Sequence, residues 1–321
     1  MRNKLTYLSN IVIISLAVTT GLPANATECI APSNPGGGWD FTCRTVGRIL
    51  SDLNLVDGNV QVTNIPGGTG AVGFARVASK RSGDPDLLVA TSTVAITKFA
   101  QGLYPGTMDD ARFVAMLGTD VGVIAVPADS PYYSLNDLTA VLKEDPNKVV
   151  GTGDGAGSWD HIRYLEIAKE GGIKNLRGLR WVQFDGGSEA ITQMLGGKID
   201  VVTTDLGEAS GFLKSGDIRL LAVLSNDPVP LFPKIHTAIS QGYNVTGYNW
   251  RGFYVGKNVS DKDYNAWVKK LKTVYDSLEW KNAVKQSGLI PAWRSGEDFN
   301  SYLVKQRKSI EDISRSIGVI Q

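Results

Sequence analysis

Val149-Val150-Gly151-Thr152-Gly153-Asp154-Gly155-Ala156-Gly157-Ser158 runs from β-branched residues into a loop where every second residue is glycine, and then into a helix-period segment. A strand that feeds a glycine loop at the start of a helix is the local unit of an α/β sheet. Three further segments repeat it: Pro35-Gly36-Gly37-Gly38-Trp39-Asp40, Pro66-Gly67-Gly68-Thr69-Gly70-Ala71-Val72-Gly73 and Asp185-Gly186-Gly187-Ser188. Without side chains, such loops bring backbone N–H groups close to a ligand, and the following helix adds its partial positive end. That favours a carboxylate or phosphate without lysine or arginine. In open α/β sheets these loops gather at the carboxyl ends of strands, where ligands bind.

Away from the loops, apolar runs alternate with helical periods. Strands are expected at 59–64, 87–90, 121–126, 149–151, 182–184, 201–204, 220–224 and 252–255. Ser134, Ser260 and Ser295 each stand three residues before an aspartate, a spacing close to a capping box. Trp267, Leu271, Val274 and Leu278 predict one buried face of a long helix, as do Phe299, Leu303, Ile310, Ile313 and Ile317 near the C-terminus. These stripes read as core packing.

The first residues point to export. Arg2 and Lys4 precede the apolar run Ile11–Val18, and Ala24-Asn25-Ala26 has the small-residue pattern of a cleavage site, so 1–26 reads as a cleaved signal peptide of an exported protein. The apolar run is well short of the ~20 residues that a membrane span needs, so no membrane insertion is expected after cleavage. Removing 1–26 takes away two positive charges and moves the formal net charge from +1 to −1. A near-neutral chain without a basic cluster offers no footprint for nucleic acid or anionic lipid.

The only cysteines, Cys29 and Cys43, read as one disulfide in an exported protein, with two free thiols as the alternative. Lipidation of Cys29 is disfavoured by Glu28 immediately before it. The 295 residues left after cleavage (321 minus 26) exceed what one core usually supports. Val123–Pro131 and Tyr248–Phe253 read as two crossings. They set 27–124 plus 248–321 as lobe 1 and 126–246 as lobe 2, with a hinge between.

Gly68-Thr69-Gly70-Ala71-Val72-Gly73 fits the dinucleotide fingerprint, but Asp84 and Asp86 come before the next strand rather than after it, so no nicotinamide cofactor is expected. Two histidines, His161 and His236, and no H-E-x-x-H, G-x-S-x-G or P-loop lysine leave no constellation for an enzyme. His161, one turn after Gly157-Ser158, reads as either ligand-facing or structural. Two cysteines are too few for a cysteine metal site, and neither metal nor cofactor is expected.

The loops beginning at Ala31 and Asn64 resemble those of the periplasmic receptors of tripartite tricarboxylate transporters, the Bug family. So do Val126–Leu138, Gly155-Ala156-Gly157-Ser158-Trp159-Asp160-His161, Phe184–Gly187, Leu195–Asp200 and Gly216–Val223. The resemblance covers the chain after residue 26, in order. It implies a two-lobed periplasmic binding protein fold, two open sheets flanked by helices, closing on an organic acid. It also implies the periplasm as the destination of export, and delivery to integral-membrane permease subunits driven by an ion gradient. The cysteine positions are most like the citrate or tricarboxylate branch.

On this reading Gly36, Gly37, Gly38, Trp39, Asp40, Gly67, Gly68 and Thr69 form the first-lobe side of the site. Gly155, Gly157, Ser158, His161, Asp185, Gly186, Gly187, Ser188 and Asp205 form the second. Thr91, Ser92 and Thr93 offer hydroxyls on the same rim. Many relatives carry lysine or arginine where Asp185 stands, which argues against simple charge pairing with a trianion. Rival readings are a receptor for an aromatic acid or amino acid, with Asp185 or Asp205 facing an ammonium, and a receptor that signals to a sensor kinase.

Overall fold

The computed structural model describes residues 26–321, so the expected signal peptide lies almost wholly outside the described residues. The chain is α/β throughout. The elements run β1 (Glu28–Ala31), α1 (Gly38–Asp52), β2 (Gln61–Asn64), α2 (Ala71–Lys80), β3 (Leu87–Ser92), α3 (Thr93–Ala100) and β4 (Ala111–Pro127). They continue with α4 (Leu135–Glu144), β5 (Val150–Gly153), α5 (Trp159–Glu170), β6 (Arg180–Gln183), α6 (Gly187–Gln193), β7 (Val201–Asp205), α7 (Leu206–Ser215) and β8 (Ile218–Val223). Last come β9 (Tyr248–Gly256), α8 (Asp261–Asp276), α9 (Leu278–Ser287), β10 (Ile290–Ser295) and α10 (Gly296–Ser316).

Two sheets share one long strand. β1 pairs in parallel with β2 and β3, β9 runs antiparallel between β3 and β4, and β10 lines the other side of β4. In the second sheet β7 and β8 run antiparallel to β4, and β5 lies parallel to both β6 and β7. β4 pairs with β9 through Val121 and with β7 from Gly122, so it changes sheets between those residues. The chain comes back at Gly247, whose carbonyl accepts from Gly122 N–H one residue before β9 begins.

The core is the expected one in kind. Trp267, Leu271 and Val274 are buried on α8, and Phe299, Leu303, Ile310 and Ile317 at the C-terminus. Leu278 does not continue the first stripe. Ser277 takes an extended backbone, caps a new helix through Trp280 N–H, and leaves Leu278 73% exposed at its start. Ser134 and Ser260 cap α4 and α8, whereas the Ser295 side chain makes no cap bond. A disulfide joins Cys29 on β1 to Cys43 on α1 and ties the first glycine loop to its strand and helix.

Candidate functional site

All four glycine loops reach one cleft between the sheets. Gly37, Gly70, Ser158 and Gly186 are the residues just before α1, α2, α5 and α6. The loops meet directly across it. Ser188 Oγ donates to Gly36 O at 2.9 Å, Asn34 Nδ2 to Glu189 at 2.7 Å, and Gln101 Nε2 to Gly157 O at 2.6 Å. Thr69 holds a left-handed backbone (φ 54°), a strained state for a β-branched residue. Its hydroxyl lies where a side chain on Gly155 would begin (2.6 Å), which explains the glycine there.

Three cavities open among these loops, one of them, about 300 Å³, beside Gly36, Gly38, Ser188, Glu208 and Arg251. The inner one, about 30 Å³, is lined by Ser33, Gly37, Gly38, Trp39, Thr69, Asp154, Asp160, Asp185, Gly186, Asp205, Glu208, Asn249 and Arg251 among others. That is room for one water. The outer one, about 500 Å³, is lined by Asn34, Gly68, Thr69, Lys98, Leu103, Gly155, Ala156, Gln183, Phe184, Asp185 and Glu189. Asp185 borders the inner and the outer one.

The floor is a buried ion network. Arg251 on β9 donates to Asp120 of β4 at 2.9 Å and to Asp205 of β7 at 2.8 Å. Arg163 on α5 pairs with Asp205 at 2.9 Å and with Asp160, and Asn249 donates to Asp205 at 2.6 Å. Burial alone would raise the Asp205 pKa, but the two guanidiniums hold it below its ordinary value. Asp120 is pushed up to about 6 by burial and the Asp205 charge. Asp154 is raised by burial and by Asp160 and Glu208, and no hydrogen bond reaches its carboxyl among the described residues. Five carboxyl groups (Asp120, Asp154, Asp160, Asp205, Glu208), all but Asp205 with raised pKa, thus meet three basic side chains (Arg163, Arg251, Lys98).

Above the floor, Glu208 on the first turn of α7 accepts from two loop amides. Gly38 N–H reaches its Oε1 at 2.9 Å and Gly187 N–H the same atom at 3.3 Å. A methyl on Gly38 would collide with the Arg251 guanidinium, and one on Gly187 with Thr204 and Glu208. Both positions therefore need glycine for close approach.

Several expected site residues serve the scaffold instead. Asp40 accepts from Gly36 N–H, Arg44 and Asn64, bracing the first loop from behind. The Thr91, Ser92 and Thr93 side chains are buried away from all three cavities rather than on the rim. Ser92 caps α3 and accepts from Trp39 Nε1, and Thr93 Oγ1 accepts from Trp250 N–H. Ser158 Oγ caps α5. His161 Nδ1 accepts from Gly157 N–H at 2.9 Å and its ring packs on Trp181, so it supports the loop. Burial and nearby Lys98 lower its pKa to about 4.

Residues the sequence did not single out are Asp120, Glu208, Asn249, Arg251, Arg163 and Lys98. One signal was present. Arg251 and Asp120 interrupt runs otherwise apolar enough for buried strands, and a charge in a buried strand needs a partner.

A cleft lined by helix-opening loops, between two sheets joined by crossing strands, is the architecture of the periplasmic binding protein fold. Solved structures share this fold. Rpa4515 of R. palustris with adipate has a TM-score of 0.84 at 16% identity, over 93% of this chain and 99% of that one. MatC from Rhodopseudomonas palustris with bound malate has 0.79 at 16% identity, over 91% and 99%. Residues 53–319 match the tripartite tricarboxylate transporter family receptor, and the chain belongs to that family of solute-binding proteins, which are not enzymes. A UPF0065 protein from the tcbD-tcbE intergenic region of Pseudomonas sp. (strain P51) is 25% identical over 292 residues, 86% of this chain and 84% of that protein.

Proposed function

We propose that this receptor holds a small di- or tricarboxylate between its lobes, with one ligand carboxylate on the amides of Gly38 and Gly187. One observation carries the reading: a carboxylate oxygen, that of Glu208, already accepts from amides on both sides of the cleft. Arg251 beneath supplies the positive charge. The rest of the ligand extends toward the outer cavity, past the loop amides of Gly67–Thr69 and Gly155 and the Lys98 ammonium. That cavity, about 500 Å³, suits an acid the size of malate, adipate or citrate. The malate and adipate held by structural neighbours agree with this class.

Five acids against three cations favour the dicarboxylate over fully ionised citrate. The same excess favours a second class, an amino acid whose ammonium faces Asp154 or Asp185. Export through residues 1–26 would place the protein in the periplasm. The strand crossings at Val121–Gly122 and Gly247–Tyr248 would let the lobes open as units and present the closed form to permease subunits. Isothermal titration with malate, adipate, citrate and aspartate tests the reading: heat with at least one acid is expected, and silence with all four sinks it.

A further inference from the structure

The groups proposed to hold a ligand carboxylate are occupied by the chain itself. Gly38 N–H and Gly187 N–H both donate to Glu208 Oε1, and Thr204 Oγ1 donates to Oε2 at 2.8 Å. Gly38 stands on the first-sheet side of the cleft, while Gly187, Thr204 and Glu208 stand on the second. One side chain therefore ties the lobes together through the cradle. The inner cavity beside it, about 30 Å³, cannot take a second carboxylate, and a separate cavity of about 300 Å³ that Glu208 lines with Gly38, Ser188 and Arg251 leaves room for its side chain to turn out.

We infer that Glu208 sets which acids this receptor accepts: a ligand enters by exchanging its carboxylate for that of Glu208, and the displaced carboxyl then faces the bound acid. The inference rests on the carboxylate reading above. Glu208 is buried beside the charges of Asp205 and Asp160, with Arg251 and Thr204 opposing them, Asp120 sharing that arginine, and the raised pKa of nearby Asp154 favouring its neutral form. Deprived of two amide bonds and set beside an incoming anion, the displaced carboxyl favours its neutral form. Exchange therefore takes up a proton, and each further negative charge on the ligand makes it harder.

The sign follows directly. In the free protein burial and Asp205 already push the Glu208 pKa up to about 7, and the bound anion raises it further. Between those two values the complex binds more protons than the free receptor, so affinity falls as pH rises through that window.

Calorimetry of the full chain with malate and citrate, at about pH 6 and about pH 8 and in buffers of different ionisation heat, tests this. Wild type should take up close to one proton per malate at the higher pH and lose up to about tenfold in affinity per pH unit. Glu208→Ala should bind malate about tenfold tighter, because the cradle stands free in every molecule, and should lose that proton uptake. Glu208→Gln keeps the shape without the charge; it should flatten the pH profile relative to wild type and bring citrate closer to malate. It carries the test if the alanine variant melts early. Acid binding to wild type, with neither affinity nor proton uptake changed in the variants, overturns the inference alone. Silence of wild type with every acid overturns the carboxylate reading and the inference with it.

Discussion

The rim and the floor of the cleft are built on opposite principles. The rim is backbone: glycines at Gly38, Gly155 and Gly187 let amides and loops approach where a side chain would collide. The floor is charge: Arg163 and Arg251 lock Asp120, Asp160 and Asp205 in a buried network. A rim of amides binds an anion without fixing its length or charge. On the proposed function, the floor, with more acids than cations, would discriminate between anions. On that reading, affinity for an anion is built into the loops, and the choice between anions into the side chains beneath them.

Breaking the floor should cost most. Arg251→Met leaves Asp120, Asp205 and Glu208 buried without their shared partner, and chemical denaturation should show a loss of about 3–5 kcal/mol. A loss below about 1 kcal/mol would mean that the network contributes specificity and not stability. His161 offers a smaller effect, visible through pH. Its pKa is lowered to about 4 in the fold, so the unfolded chain binds the extra proton between that value and the ordinary ~6.5. The stability it contributes is complete above about pH 6.5 and lost as pH falls toward about 4, up to about 3 kcal/mol. His161→Asn should flatten the acid side of the stability profile while leaving acid affinity unchanged at neutral pH. An affinity loss there would move His161 back into the site.

At the rim, Gly187→Ala forces Thr204 or Glu208 to shift, an overpacking cost of about 1–3 kcal/mol. Equilibrium binding should show at least tenfold weaker acid binding in a folded protein; normal affinity would remove Gly187 from the cradle. The smallest effect is expected at Asp185, which borders the inner and the outer cavity. Asp185→Asn removes one negative charge facing the ligand and should tighten citrate several-fold more than malate, roughly 1 kcal/mol at an exposed rim. Equal effects on the two acids would place the carboxylate outside the field of the ligand.

The rim was legible and the floor was not, for a physical reason. Glycine loops are local: the strand, the loop and the helix start follow one another in sequence, and all four loops reach the cleft. The floor is assembled by register. β9 and β7 flank β4, with Gly118 opposite Arg251, Asp120 opposite Asn249 and Gly122 opposite Asp205. No spacing along the chain announces that Arg251 meets an aspartate 131 residues away. The same polar residues hid the first half of β4, since Arg112, Gly118, Thr119 and Asp120 break the apolar pattern of a strand that runs from Ala111 to Pro127. Hydroxyls misled in the opposite direction. Thr91, Ser92 and Thr93 sit where a strand gives way to a helix, as ligand contacts often do, yet all three are buried: Ser92 bonds to Trp39 and the start of α3, Thr93 to Trp250, and the Thr91 hydroxyl has no partner among the described residues.

Both the proposed function and the role of Glu208 turn on whether an acid replaces the chain's own carboxylate on the amides of Gly38 and Gly187. A crystal structure of the protein with malate bound tests this most directly. A ligand carboxylate should accept from Gly38 and Gly187 N–H, with Glu208 turned out of the cradle. Malate held elsewhere, with Glu208 still on both amides, would contradict both.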